Sequence, residues 1–262
     1  MERVTITTYD EVNLVADLYN PQGSTGGIAQ WWPGLVVCHG FGSNRERHAD
    51  FGKRAAEAGF VTLIMDLRGH GESEGEVDAN LFNDVAAAYL YLQGRPEVNP
   101  MSVGVRGSSM GGWLAIHTAA HLKDMAPVAA YCPTNEAQMT ILMEEVGLVQ
   151  RGHPSPMIQG TPPRVNVNSA LQLLYRLDIA KAVKRISPRH LLLVHCEGDE
   201  VVPVHISQRL YDEAREPKTL WLLPGGDHEF AQHDPATDAR VFEWFKMARP
   251  ATQQLTTEDI PD

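Results

Sequence analysis

Apolar and polar residues alternate at the start of the chain, in Thr5-Ile6-Thr7 and, nearly, in Leu14-Val15-Ala16-Asp17-Leu18-Tyr19, on either side of a polar Tyr9-Asp10-Glu11. Successive strand side chains point to opposite faces, so this pattern predicts an antiparallel hairpin at the edge of a sheet. Pro21 to Pro33 reads as loop. Beyond it come short continuous apolar runs at Leu35 to Cys38, Val61 to Met65, Val103 to Val105, Val128 to Tyr131, Leu191 to His195 and Leu220 to Leu223. Such runs suit strands buried on both faces. Between them, roughly Glu46 to Ala58, Asn80 to Leu92, Met110 to His121, His205 to Arg215 and Pro235 to Ala248 repeat apolar positions three or four apart, the spacing of one helix face. Strand and helix in alternation predict an α/β fold, a doubly wound and mostly parallel sheet of about eight strands with helices on both faces.

From Thr134 to about Ser187 the rhythm fails. No strand is indicated there, and two helices are expected, near Glu136 to Val146 and Ser169 to Lys184, around a Pro-rich link from Gly152 to Pro163. Residues 134–187 are too short to carry a core of their own, so they are expected to form a small helical cap resting on a sheet core made of residues 1–133 and 188–250. The polar residues 251–262 read as a frayed tail.

The chain carries 22 basic against 33 acidic residues, a formal charge of -11, so its surface should repel nucleic-acid phosphates and anionic membranes. Cys38, Cys132 and Cys196 are odd in number, widely spaced and set among apolar neighbours, which excludes a disulfide framework and predicts buried free thiols. Without a C-x-x-C pair, a structural zinc site built on thiolates is not expected either. The first residues lead straight into the hairpin, and no apolar run approaches the roughly 18 residues that a membrane span needs, so a cytoplasmic location is the expectation. A homo-oligomer remains open.

The chemistry is concentrated in Val103-Gly104-Val105-Arg106-Gly107-Ser108-Ser109-Met110-Gly111-Gly112, a strand followed by G-x-S-x-G and then a helix. So sharp a turn strains the central residue, and only glycines two positions to either side permit the close approach, which leaves the Ser109 hydroxyl exposed at a helix N-terminus. Ser109 is the candidate nucleophile. A hydroxyl needs a base, and the base a carboxylate to orient it. Both follow in order at later strand ends: Asp199 after Leu192 to Cys196, and His228 in Pro224-Gly225-Gly226-Asp227-His228. Val37-Cys38-His39-Gly40-Phe41-Gly42 is a glycine-flanked turn able to present a backbone N–H, so the amides of Phe41 and Met110 are the candidate oxyanion hole.

Together His39-Gly40-Phe41-Gly42, Asp66-Leu67-Arg68-Gly69-His70-Gly71-Glu72-Ser73, Gly107 to Gly112, Gly198-Asp199 and Gly226-Asp227-His228 resemble the α/β-hydrolase superfamily over nearly the whole chain. Within it the chain is similar to small-cap serine esterases and to acyl-peptidase, cinnamoyl-esterase and monoacylglycerol-lipase-like groups. The resemblance implies a covalent acyl-enzyme and no cofactor. Cinnamoyl esterases and monoacylglycerol lipases usually carry His before the nucleophile, where Ser108 stands here.

Other residues have blander roles to weigh. Glu197 and Glu200 compete with Asp199, but Glu197 lies before the Gly198 turn. Asp227 suits holding its loop, Asp66 and Arg68 suit pinning the segment from Met65 to Glu76, and His39 and His70 suit structural hydrogen bonding. His228-Glu229-Phe230-Ala231-Gln232-His233 is one residue too long for a zinc-protease helix, and His117 and His121, one helical turn apart, lack an evident third ligand, so no metal is expected. Trp113 follows Gly112 where a phosphate-binding loop needs lysine, and no G-x-G-x-x-G occurs. In the cap, Met139, Leu142, Met143 and Val146 are candidates for an apolar substrate pocket, or else the face that packs the cap down. The expected activity is hydrolysis of carboxylic esters with short to medium acyl chains, the partner a small-molecule ester. The same triad would serve thioesters or acyl-peptide bonds, and a non-catalytic binding protein on this fold is the distant alternative.

Overall fold

A computed structural model describes residues 1–22, 31–158 and 162–248. The expected tail 251–262, residues 23–30 of the first loop and residues 159–161 of the Pro-rich link lie outside them. Strands β1 (Glu2–Thr7) and β2 (Asn13–Tyr19) form the predicted edge hairpin. The rest of the sheet is β3 (Trp32–Cys38), β4 (Val61–Met65), β5 (Val98–Ser108), β6 (Val128–Tyr131), β7 (Leu191–Cys196) and β8 (Lys218–Leu223). The eight strands lie in the order β1-β2-β4-β3-β5-β6-β7-β8. The pairs β1/β2 and β2/β4 are antiparallel and all the others parallel.

Helices α1 (Ala49–Glu57) and α9 (Pro235–Met247) cover one face, while α2 (Phe82–Gln93), α3 (Met110–His121) and α7 (His205–Glu213) cover the other. Along β3, Leu35 and Val37 meet Phe51, Phe60 and Phe242, whereas Val36 and Cys38 join Leu63, Met65, Val105 and Trp113. That two-sided burial explains why these strands read as unbroken apolar runs. Strand β3 starts earlier than the loop expectation allowed, and Pro33 fits because the register with β5 shifts between Trp32 and Gly34.

The insertion between β6 and β7 is helical: α4 (Glu136–Gln150), α5 (Val167–Leu174) and α6 (Ile179–Lys184). The single helix expected over Ser169 to Lys184 is in fact two. Asp178 leaves helical geometry, and its carboxylate accepts from the N–H groups of Ala180 and Lys181, starting α6 afresh. One parallel bridge, Val77 to Val165, ties the cap to the loop after β4. Glu136 ties it to α3, accepting from Trp113 Nε1 at 2.9 Å and lying 2.8 Å from His117 Nε2. His117 is thus a packing residue.

Two loops at the C-terminal ends of β3 and β4 are locked together by histidines. Gly40 O can only accept, so His39 Nδ1 donates to it at 2.7 Å, and its Nε2 accepts from Leu67 N–H at 3.0 Å. His70 donates from Nδ1 to Arg68 O at 3.0 Å and accepts at Nε2 from Gly42 N–H at 3.1 Å. Both rings are therefore neutral, and burial pushes their pKa values down, to about 4 for His39 and about 3 for His70. Asp66 and Arg68 pin this region through other partners than each other. Asp66 pairs with buried Arg45 and accepts the Glu72 N–H, while Arg68 pairs with Asp84 at 2.7 Å, Asp10 at 2.8 Å and Asp78 at 2.9 Å.

Two predictions follow from these locks. Arg68→Met leaves the buried Asp84 carboxylate without its partner and is expected to cost about 3–5 kcal/mol, a fall in Tm on the order of 10 °C by circular dichroism. An unfolded histidine takes a proton near pH 6.5, roughly, whereas His39 and His70 stay neutral in the fold. The unfolded chain then binds more protons as pH drops, so stability should fall from about pH 6.5 downward, and the contribution of the two histidines levels off only near pH 3. Urea midpoints at pH 7.5 and 4.5 check this, and His39→Gln should flatten the difference even as it lowers the midpoint at pH 7.5.

Candidate active site

Ser109 sits between β5 and α3 at φ 55, ψ -118, a conformation that costs a non-glycine residue about 1–3 kcal/mol. Backbone hydrogen bonds hold it there: its N–H donates to Tyr131 O at 2.8 Å, and its carbonyl accepts from Trp113 N–H at 3.1 Å. The flanking glycines are needed for the reason expected. A Cβ on Gly107 would overlap Gly111 O, and one on Gly111 would overlap Cys38 O. On the side of the β3 loop the Gly40 backbone comes close, where an added Cβ would lie 3.1 Å from Ser109 Cβ and 3.7 Å from its Oγ. The serine hydroxyl therefore lies against the turn that carries Phe41. The Phe41 ring meets His70 edge-on at 5.6 Å, so the histidine that holds Gly42 also braces Phe41. Met110 opens α3 and is fully buried.

Asp199 lies just past β7 and His228 in the loop after β8, before the short helix α8 (Phe230–His233). Their side chains meet, His228 Nδ1 lying 2.7 Å from Asp199 Oδ2. The second carboxylate oxygen accepts from Val201 N–H at 2.9 Å and Val202 N–H at 2.8 Å. Burial alone would raise the Asp199 pKa, but the hydrogen bonds from His195, His228 and Val202 outweigh it and hold the carboxyl well below the usual range. An ionised Asp199 fixes the His228 proton on Nδ1 and leaves Nε2 a lone pair, the form a general base requires. The ring borders a surface groove of about 630 Å³ lined by Gly198, Glu200, Val201, Gly226 and Glu229. Glu197 and Glu200 are both exposed, and Asp227 accepts from Glu229 and Phe230 N–H, holding the loop as expected.

Two neighbours of this pair carried no signal in the reading of the sequence. His195, fully buried, lies 3.4 Å from Asp199 Oδ2, donates from Nε2 to Val202 O at 2.8 Å and accepts at Nδ1 from Ser207 Oγ at 2.7 Å. A strand-end histidine four residues before the carboxylate could have been noticed. Cys132, at the end of β6 with φ 42, brings its thiol within 4.8 Å of the nearest Asp199 and His228 ligand atoms. Nothing in the spacing of residues 132, 199 and 228 announces that meeting.

The four cap residues expected to line a substrate pocket pack α4 on the core. Met139, Met143 and Val146 are buried, Leu142 is half-buried against the same cluster, and the space left among Trp113, Met139, Met143 and Leu174 is about 10 Å³. As packed, that holds no substrate group. His233 stacks on His48 at 5.5 Å, apart from any zinc-protease arrangement, and all three cysteines are buried and free. No helix among the described residues is long and apolar enough to cross a membrane.

A family model described as serine aminopeptidase, S33, matches residues 34–154. The uncharacterized protein YfhR of Salmonella typhimurium is 29% identical over 196 residues, which are 74% of this chain and 63% of that protein. The match thus spans less than two thirds of that relative's length. Among solved structures, the α/β hydrolase GrgF from Penicillium sp. sh18 superposes with a TM-score of 0.77 at 22% identity, over 95% of this chain and 98% of that one. Est1E from Butyrivibrio proteoclasticus, solved with ferulic acid bound, gives a TM-score of 0.74 at 20% identity, over 94% and 98%. With the parallel sheet, its strand order and the serine on its strained turn, these likenesses show that the chain has the α/β-hydrolase fold.

Proposed function

We propose that the protein is a serine hydrolase that cleaves carboxylic esters with short to medium acyl chains. The observation that carries this reading is the hydrogen bond between His228 Nδ1 and an ionised Asp199, at the C-terminal end of the same sheet whose β5 runs into the strained Ser109 turn. Ser109 Oγ attacks the ester carbonyl while His228 Nε2 takes its proton. The Phe41 and Met110 N–H groups receive the oxyanion, at about 2.7–4 kcal/mol per donor. His228 then protonates the departing alcohol, and the acyl-enzyme is freed by a water that His228 activates. Asp199 keeps the ring in the right tautomer throughout. The esterase reading also draws on Est1E, a structural neighbour that was solved with ferulic acid bound.

Acyl transfer to a peptide bond uses the same constellation, and the serine aminopeptidase description of the family model favours it as a second reading. A series of p-nitrophenyl esters set beside acyl-CoA and aminoacyl anilides separates the two. Under the leading reading kcat/KM peaks at a short or medium acyl chain, and the protein is labelled by a fluorophosphonate. Labelling without turnover of any ester would turn the assignment to thioesters or peptides, and failure of a folded sample to label would end the hydrolase reading.

Two substitutions test the residues. Ser109→Ala should lower kcat by roughly 10⁶-fold and abolish labelling with the Tm preserved; a retained burst of product would overturn the nucleophile. Asp199→Asn should cost about 10⁴-fold in kcat with little change in KM, read from steady-state kinetics.

A further inference from the structure

We propose that Cys132, Asp199 and His228 form a binding site for a thiophilic divalent cation, Zn²⁺ or Cd²⁺, whose occupation switches the hydrolytic centre off. One sulfur, one carboxylate oxygen and one imidazole nitrogen, all within 4.8 Å of one another, are the donor types that zinc selects. They come from the ends of β6, β7 and β8, so the sheet itself sets their spacing. The Cys132 backbone at φ 42, with its N–H on Val194 O at 2.7 Å, turns the thiol toward the carboxylate. The thiol and Asp199 are buried, while His228 borders the groove of about 630 Å³ through which a hydrated ion can enter.

The fit needs little movement. Metal bonds of about 2.0–2.3 Å at tetrahedral angles put ligand atoms about 3.2–3.7 Å apart. The thiol therefore moves in by at most about 1–1.5 Å, and the 2.7 Å gap between His228 Nδ1 and Asp199 Oδ2 opens by about half an ångström. The fourth position faces the groove and takes water. On binding, the Cys132 thiol gives its proton to solvent, and the His228 proton moves from Nδ1 to Nε2 as the cation takes the Nδ1 lone pair. Charge and protons balance. A ring that carries its proton on Nε2 has no lone pair for the Ser109 hydroxyl, so occupation and hydrolysis exclude each other. That inhibition rests on the proposed hydrolase reading, whereas the binding itself does not.

The test uses the full chain, stripped with a chelator and titrated with Cd²⁺ and with Zn²⁺. Calorimetry should give one ion per chain, and Cd²⁺ should raise a thiolate charge-transfer absorption in the ultraviolet. Ester hydrolysis should vanish at the same midpoint and return with EDTA. Cys132→Ser and Cys132→Ala, each read against its own metal-free rate, should lose the absorption band and the metal inhibition and bind at least about tenfold more weakly. Circular dichroism reports the folding of each variant. Cd²⁺ absorption or inhibition that survives in a folded Cys132→Ala, or the absence of binding at millimolar ion, overturns the site. Binding and absorption in a wild type that hydrolyses no ester leave the site standing and overturn the ester-hydrolase reading instead.

Discussion

The contact between the first turn of α3 and the end of β3 constrains the whole centre. Gly111 lies so close to the Cys38 and His39 carbonyls that no side chain fits between them, and Gly107 meets the Gly111 carbonyl in the same way. This backbone-on-backbone approach forces Ser109 to positive φ, and it presses the serine against the Gly40 turn. The strain is local, but what sustains it is distributed. Hydrogen bonds from β6 and into α3 and a sheet buried on both faces hold a conformation that the isolated turn would leave.

Around that contact the loops are fixed by polar groups out of reach of water. His39 and His70 each use one ring nitrogen as donor and the other as acceptor, so each can satisfy two backbone groups only while it is neutral. Arg45 with Asp66 and Arg68 with Asp84 fasten the same loops by charge. A buried ion pair of this kind adds little net stability over an apolar replacement, but breaking it is costly, which makes the loop positions all-or-none. The oxyanion turn near Phe41 thereby inherits the rigidity of the sheet.

The carboxylate end follows a different logic. Asp199 is buried, yet backbone N–H groups and two imidazoles surround it, so it remains charged where burial would otherwise neutralise it. The same compactness brings the Cys132 thiol next to it. A geometry that holds an imidazole against a carboxylate is close to one that holds a cation between them, and the thiol supplies the third donor.

The sequence by itself determined the order and kind of elements, because two-sided burial writes strands as apolar runs and one-sided burial writes helices at a three-to-four spacing. It also determined Ser109, Asp199 and His228 as candidates, since each stands in a glycine-marked turn directly after a strand and glycine spacing is a local property. The break at Asp178 escaped the reading of one helix over Ser169 to Lys184, although an N-cap residue marks it. Tertiary structure alone decided which partners meet. Asp66 chose Arg45 and Arg68 chose Asp84, His195 came to rest beside Asp199, the cap methionines packed inward, and Cys132 reached His228. Those meetings depend on strand order and register, which bring distant residues to one sheet edge, and no pattern along the chain encodes a distance across it.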